Sequence, residues 1–209
     1  MIKMSDLQDR FEGRPALVLG GGPSLPADLK KAPMKDKPII IAVNYHALQL
    51  VKAHYMVFND DPLGDPRLFA AAKDFGGVRV NPDKNFSDVE FDVPVWTGFF
   101  SSNTAAWFAL WMGCDPVILC GMDCYQGDRV YFHEYSHDTP AFHYPLDHYL
   151  NPWKEDGQHL LPHKERLKVM SGPLIGIFGQ YESNEVPAPS LCEVAGSRTG
   201  RKNRAPALE

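Results

Sequence analysis

Three groups of residues in this 209-residue chain have types and spacings that suit chemistry. The first is Leu17-Val-Leu-Gly-Gly-Gly-Pro-Ser-Leu25, an apolar run that leads through Gly20, Gly21 and Gly22 into Pro23 and Ser24, the opening of a helix. Glycines at such a turn admit positive φ and close approach of another molecule to the main chain. Pro at the first helical turn forfeits no hydrogen bond, and Ser24 is a side chain that caps helix amides. A helix start presented this way suits an anion, phosphate above all, although the same residues also make a tight turn with no ligand. The second group is Asn44, Asn59, Asp60, Asp61 and Asp123, amides and carboxylates that each follow shortly after an apolar run. The third is His133-Glu-Tyr-Ser-His137, with His143 further on, which spells the zinc-protease pattern of two histidines on one helical face and a glutamate that activates water. Its context argues against proteolysis. Gly127 stands before it, Asp138-Thr139-Pro140 follows at once, and Pro140 replaces the glycine that reverses the chain in such enzymes. Little helix can form between those breakers, so a histidine-rich lid or surface is the expectation.

These residues need a frame. Strands are expected over 15–19, 38–43, 55–58, 78–81, 93–96, 116–120 and 174–178, and helices over 24–31, 46–54, 65–75, 103–112 and 161–170. Most of the strand runs are short and continuously apolar, as suits strands covered on both faces. Their alternation with helices predicts an α/β, Rossmann-like, doubly wound and mainly parallel sheet. Ligands in such sheets bind beyond the carboxyl ends of the strands. Those ends carry Gly20–Gly22, Asn44, Asn59-Asp60-Asp61 and Gly121-Met-Asp123-Cys-Tyr125, and Ser101-Ser102-Asn103 opens the central helix. Singly, Asn44 and Asn59 are turn formers, Asp60-Asp61 a polar turn before Pro62, Asp123 a loop cap and 101–103 an N-cap cluster. Jointly they form one polar site where a nucleotide would lie.

The chain suits a single domain over 1–184, with a His- and Tyr-rich lid at about 126–160. The basic segment 185–209 lacks apolar periodicity and is expected to be disordered. A net charge of −5 argues against a general nucleic-acid binder. No apolar run reaches transmembrane length and the first residues lack a signal core, so a cytoplasmic protein is expected. Cys114, Cys120, Cys124 and Cys192 form no Cys-x-x-Cys pair and read as free, buried thiols. Self-association stays open.

With those positions assembled, residues 14–180 resemble the bacterial sialyltransferases of the Campylobacter type and the related archaeal 6-hydroxymethylpterin diphosphokinase-like family. The resemblance lies in Gly20-Gly-Gly-Pro-Ser-Leu25, in Asn44 and Asn59 after their strands, in Ser101-Ser102, and most specifically in Trp111-Met-Gly-Cys-Asp-Pro-Val-Ile-Leu-Cys-Gly-Met-Asp-Cys-Tyr125. Tyr131 and the His159-Leu-Leu-Pro-His163 segment look like the sialyltransferases' second active-site tyrosine and catalytic-histidine region. Gly21 departs from the pattern, standing where the sialyltransferases have an asparagine, and the lid gives no guide to the acceptor. The resemblance implies a CMP-sugar donor held by Gly20–Gly22, Ser24, Asn44, Asn59, Ser101, Ser102 and Asp123. Tyr125 and Tyr131 would then stabilise the leaving phosphate and His163 would deprotonate an unknown acceptor, with no metal required. The diphosphokinase alternative implies Mg²⁺ on Asp60, Asp61 and Asp123 for transfer to a pterin-like hydroxymethyl acceptor. A third alternative is a nucleotide-binding or assembly module without catalysis.

Overall fold

The computed structural model describes residues 1–126, 128–133 and 144–182. The expected tail, Cys192, His137 and His143 lie outside the described residues. In chain order the strands are β1 (Ile2–Lys3), β2 (Ala16–Leu19), β3 (Ile39–Val43), β4 (Tyr55–Val57), β5 (Val78–Val80), β6 (Val89–Glu90), β7 (Val117–Cys120) and β8 (Leu167–Val169). The helices are α1 (Leu25–Lys31), α2 (Pro66–Asp74), α3 (Ser101–Trp111), α4 (Leu146–Lys154) and α5 (Ile175–Phe178). Six strands form one sheet in the order β5-β4-β3-β2-β7-β8, and β1 pairs with β6 in a second, two-stranded sheet. Every named ladder is parallel. The Rossmann-like, doubly wound α/β architecture expected from the alternation is therefore the one observed, with its switch point between β2 and β7.

The continuous apolar runs follow from two-sided burial. Ala16, Val18, Ile39, Ile41, Val117 and Leu119 face the core shared with α3, whereas Leu17, Leu19, Ile40, Ala42, Ile118 and Cys120 face the opposite core with Leu25 of α1. Helix α3 lies across the centre of the sheet, buried from Asn103 to Leu110, so an apolar stripe alone would not suffice. Asp65 caps α2 by accepting the amides of Arg67 and Leu68.

Several expected elements differ. Residues 93–96 form no strand, because Pro94 cannot donate to a ladder; Val93, Val95 and Trp96 pack half-buried against the core instead. Residues 174–178 form a helical turn, with Leu174 and Phe178 buried one turn apart and Gly179 at φ 80° ending it. The helix expected over 161–170 resolves into a 3-10 turn, Leu161–His163, and then β8, whose Leu167 and Val169 are buried while Lys168 is half-buried. Only His46–Gln49, as a 3-10 turn, forms from the helix expected over 46–54. The segment expected as a lid contains α4, hidden in the sequence by the prolines that open and interrupt it, and α4 buries Tyr149, Leu150 and Trp153.

Candidate functional site

A cavity of about 240 Å³ opens beyond the carboxyl ends of β2, β3, β4 and β7, at the switch point of the sheet. Gly20, Gly21, Gly22, Asn44, Asn59, Ser101, Ser102, Asp123, Tyr125 and Tyr131 all line it, as does Asp60. Ser24, Asp61 and His163 are not among the lining residues.

The glycine loop does not work as the sequence suggests. None of Gly20, Gly21 and Gly22 has positive φ. The Gly20 amide donates to the Cys120 carbonyl at 2.8 Å and the Gly22 amide to the Gly121 carbonyl at 2.9 Å. The Ser24 amide donates to Asp123 Oδ2 at 3.1 Å, and the Ser24 hydroxyl lies 2.9 Å from the same oxygen. The amides of Gly20, Gly22 and Ser24 are thus engaged within the chain, and the start of the seven-residue α1 already faces a carboxylate. Ser24 does not cap the helix with its side chain. What requires glycine is close approach. A Cβ on Gly22 would overlap Asp123 Oδ2, and one on Gly21 would stand 2.8 Å from His46 and from Tyr131.

Asp28, an ordinary helix residue by its sequence context, completes this junction. It is buried, and it accepts the Gly121 amide at 2.9 Å and the Ser171 hydroxyl at 2.7 Å, with Ser24 Oγ at 3.1 Å. Hydrogen-bond donors, rather than an ion pair, compensate this carboxylate. Its one sequence signal is its position a helical turn after Ser24.

Across the cavity, Asn59 is held by two bonds. Its amide donates to Ser101 Oγ at 2.9 Å and its Nδ2 to the Gly98 carbonyl at 3.0 Å. Its Oδ1 is then left as a buried acceptor with no donor, and the Oδ1 of Asn44 is in the same condition. A buried polar atom without a partner costs about 1–3 kcal/mol, which a ligand supplying donors would recover. Asn44 stands in the left-handed region at φ 55°, as do Cys124 at 51° and Tyr125 at 54°. These three cavity residues are among five such non-glycine positions in the described chain, so backbone strain concentrates at the cavity.

Aromatic rings form one wall. Tyr131 stacks on His46 with centroids 4.0 Å apart, and Tyr125 meets Tyr131 edge-on at 6.0 Å and Tyr149 of α4 at 5.0 Å. His46 Nδ1 lies 2.8 Å from His133 Nε2. Burial first, then the neighbouring His133, pushes the pKa of His46 down to about 4, so its imidazole is neutral at pH 7. The sequence alone assigns neither His46 nor Tyr149 a role; His46 is visible there only as a residue just beyond a strand, and Tyr149 is hidden with its helix.

The metal readings find limited support. His133 faces His46, and the rest of the zinc-protease pattern lies outside the described residues. Among the described residues, no three His, Cys, Asp or Glu side chains gather closely enough to hold a metal. Asp61 caps the 3-10 turn Pro62–Gly64 by accepting the Leu63 amide at 2.9 Å, and one oxygen of Asp123 is taken by Ser24. The carboxylates therefore fit Mg²⁺ only if substrate phosphates supply most of its coordination. His163 is exposed on its turn, and what burial its ring has, together with Arg166, holds its pKa below the ordinary value.

Burial raises the thiol pKa of Cys114 and Cys124 to about 12, with Asp123 adding to the effect at Cys124; Cys120 is also raised. All three are free. Iodoacetamide at pH 8 is expected to spare these three in the native protein and alkylate them after denaturation, as mapped by peptide mass; rapid native labelling of Cys124 would contradict the geometry. No helix among the described residues is long and apolar enough to cross a membrane.

No protein-family model matches the chain, and no curated protein does. Among solved structures it is similar to the MAf glycosyltransferase from Magnetospirillum magneticum AMB-1, with 16% identity and a TM-score of 0.43. The match covers 56% of this chain and 24% of that one, so the chain spans about a quarter of that protein's length. A likeness of this size is one of outline and says nothing of activity.

Proposed function

We propose that the chain is a nucleotide-dependent transferase whose donor is a CMP-activated sugar bound at the switch-point cavity. The observation that carries this reading is the pair of buried amide oxygens, Asn44 Oδ1 and Asn59 Oδ1, that lack donors at the place where a parallel sheet receives nucleotides. Ribose hydroxyls and an exocyclic amine are donors of the required kind. In this reading the start of α3, at Ser101 and Ser102, receives the phosphate, and the hydroxyls of Tyr125 and Tyr131 stabilise the charge that grows on it as the glycosidic bond breaks. Gly20–Gly22 and Ser24 shape the junction instead of donating to the phosphate. Among the described lining residues there is no lysine or arginine, while Asp60 and Asp123 are present. That balance favours a donor with one phosphoryl group; a triphosphate would need Mg²⁺ to offset its charge.

A thermal-shift titration against CMP, CDP, UDP, GDP and ATP, each with and without Mg²⁺, tests the reading. A metal-independent rise with cytidine nucleotides is expected. Asn44→Gly keeps the left-handed backbone and removes the oxygen, so it and Asn59→Ala are each expected to weaken CMP binding about tenfold. A rise only with ATP and Mg²⁺ would move the reading to diphosphate transfer, and no rise with any nucleotide would end it. His163 keeps its proposed role as acceptor base only if His163→Ala lowers turnover while leaving CMP affinity unchanged.

A further inference from the structure

The segment 128–133 is fastened to the glycine loop and to the end of β3 at three points. The Phe132 amide donates to the Gly21 carbonyl at 3.1 Å. Tyr131 lies on His46 with the ring planes 19° from parallel, and His133 stacks on His46 at 5.1 Å. His46 Nδ1 and His133 Nε2 then meet at 2.8 Å. Gly21 leaves room for this arrangement, since a Cβ there would crowd both His46 and Tyr131. Both rings are buried, and both line the cavity.

We propose that His46 is a positioning residue that latches segment 128–133, and with it Tyr131, against the glycine loop, and that protonation of His46 releases the latch; its consequence for the donor rests on the nucleotide-sugar reading. A hydrogen bond between two imidazole nitrogens needs one to donate and the other to accept. One added proton leaves the bond intact as long as the second ring still accepts. Two make both nitrogens donors and set like charges side by side. The surroundings of His46 resist that second proton. Burial opposes its charge most, then His133; Asp65 favours it and Arg67 opposes it, both at the start of α2. Asp65 already gives one oxygen to the amides of Arg67 and Leu68, and the other rings on His46 are those of Tyr45 and Tyr131. Linkage sets the size of the effect. His46 released to solvent titrates near 6.5 and latched His46 near 4, so each pH unit between them favours the released segment about tenfold, about 300-fold in all. Below pH 4 both forms are protonated and the effect levels off.

Amide hydrogen exchange on the full chain without ligand, followed by NMR between pH 7 and pH 4 and corrected for the intrinsic pH dependence of exchange, reads the latch at the Phe132 amide. Its protection is expected to fall about tenfold per pH unit below 6.5, while the amides of β2 hold theirs. His46→Phe keeps a ring on Tyr131 and should abolish that slope, which a merely space-filling role for His46 would not predict. Should His46→Phe fail to fold, His133→Phe removes the bond from the other side. Phe132 should then exchange at least tenfold faster at pH 7 with β2 unchanged. A flat profile in the parent, the same slope in His46→Phe, or unchanged Phe132 exchange in His133→Phe would overturn the proposal. A second arm adds saturating CMP at pH 7, which should slow Phe132 exchange at least tenfold further, because Tyr131 is proposed to hold the donor phosphate. CMP that binds and leaves Phe132 unchanged would overturn the latch's part in donor binding. If CMP does not bind at all, the donor reading falls and the ligand-free arm still decides the latch.

Discussion

Gly22→Ala is expected to destabilise the protein by about 3 kcal/mol, near the upper end of what overpacking usually costs. Its new methyl group would overlap Asp123 Oδ2 and stand 2.7 Å from the Gly121 carbonyl oxygen. Neither obstacle can step aside cheaply. The carboxylate is bonded to both the amide and the hydroxyl of Ser24, and the carbonyl accepts the Gly22 amide itself. For a chain of this size the melting temperature should fall by about 6–12 °C, and the CMP-dependent shift should disappear with the displaced loop. Gly64→Ala is the control. A Cβ there has nothing within 4 Å, so its effect should stay within about 0.5 kcal/mol. Adding Asp123→Ala should lessen the penalty of Gly22→Ala, because part of the clash is with that side chain, and a double-mutant cycle would measure the coupling. A Gly22→Ala protein as stable as the parent would show that the loop does not pack as described.

Stability should also fall on acidification, through His46. Its folded pKa, about 4, lies below the ordinary 6.5, so the folded state refuses a proton that the unfolded chain accepts. Above pH 6.5 both states are neutral and the contribution is complete. As the pH drops from 6.5 towards 4 the unfolded state gains protons first, and about 3 kcal/mol is lost across that window. Below pH 4 both states are protonated and the loss levels off. Urea denaturation at closely spaced pH values reads this directly. His46→Phe keeps an aromatic ring on Tyr131 and should remove most of the slope. A residue should persist, because the pKa values of His54 and His163 are also lowered. An unaltered slope in His46→Phe would show that His46 is not the buried neutral group described.

Sheet and site are legible in the sequence to different depths. Strands β2, β3, β4 and β7 can be read because their side chains are consumed by cores on both faces, which leaves continuous apolar runs with polar residues at each end. The same logic gathers Asn44, Asn59, Asp123 and Ser101 at one edge of the sheet, and all four line the cavity found there. It fails where short apolar runs carry no period: 174–178 fits a strand or a turn of helix equally well until Phe178 finds its place over the core. It fails also for Gly20–Gly22, where a motif that suits phosphate and a motif that suits a neighbouring loop have the same spelling. Only the partners of the amides tell them apart, and those partners, Cys120, Gly121 and Asp123, lie about a hundred residues away.

That distance has a mechanical consequence. The half-sheet β2-β3-β4-β5 and the half-sheet β7-β8 meet along the β2–β7 ladder, and just beyond its end they are tied by Asp123 reaching to Ser24 and by Asp28 reaching to Gly121. The gauge of the crevice is therefore set by the reach of two acidic side chains as well as by the main chain. Lengthening either to glutamate would leave the ladders intact and re-space the two lips, a way to retune what the crevice grips without rebuilding the sheet.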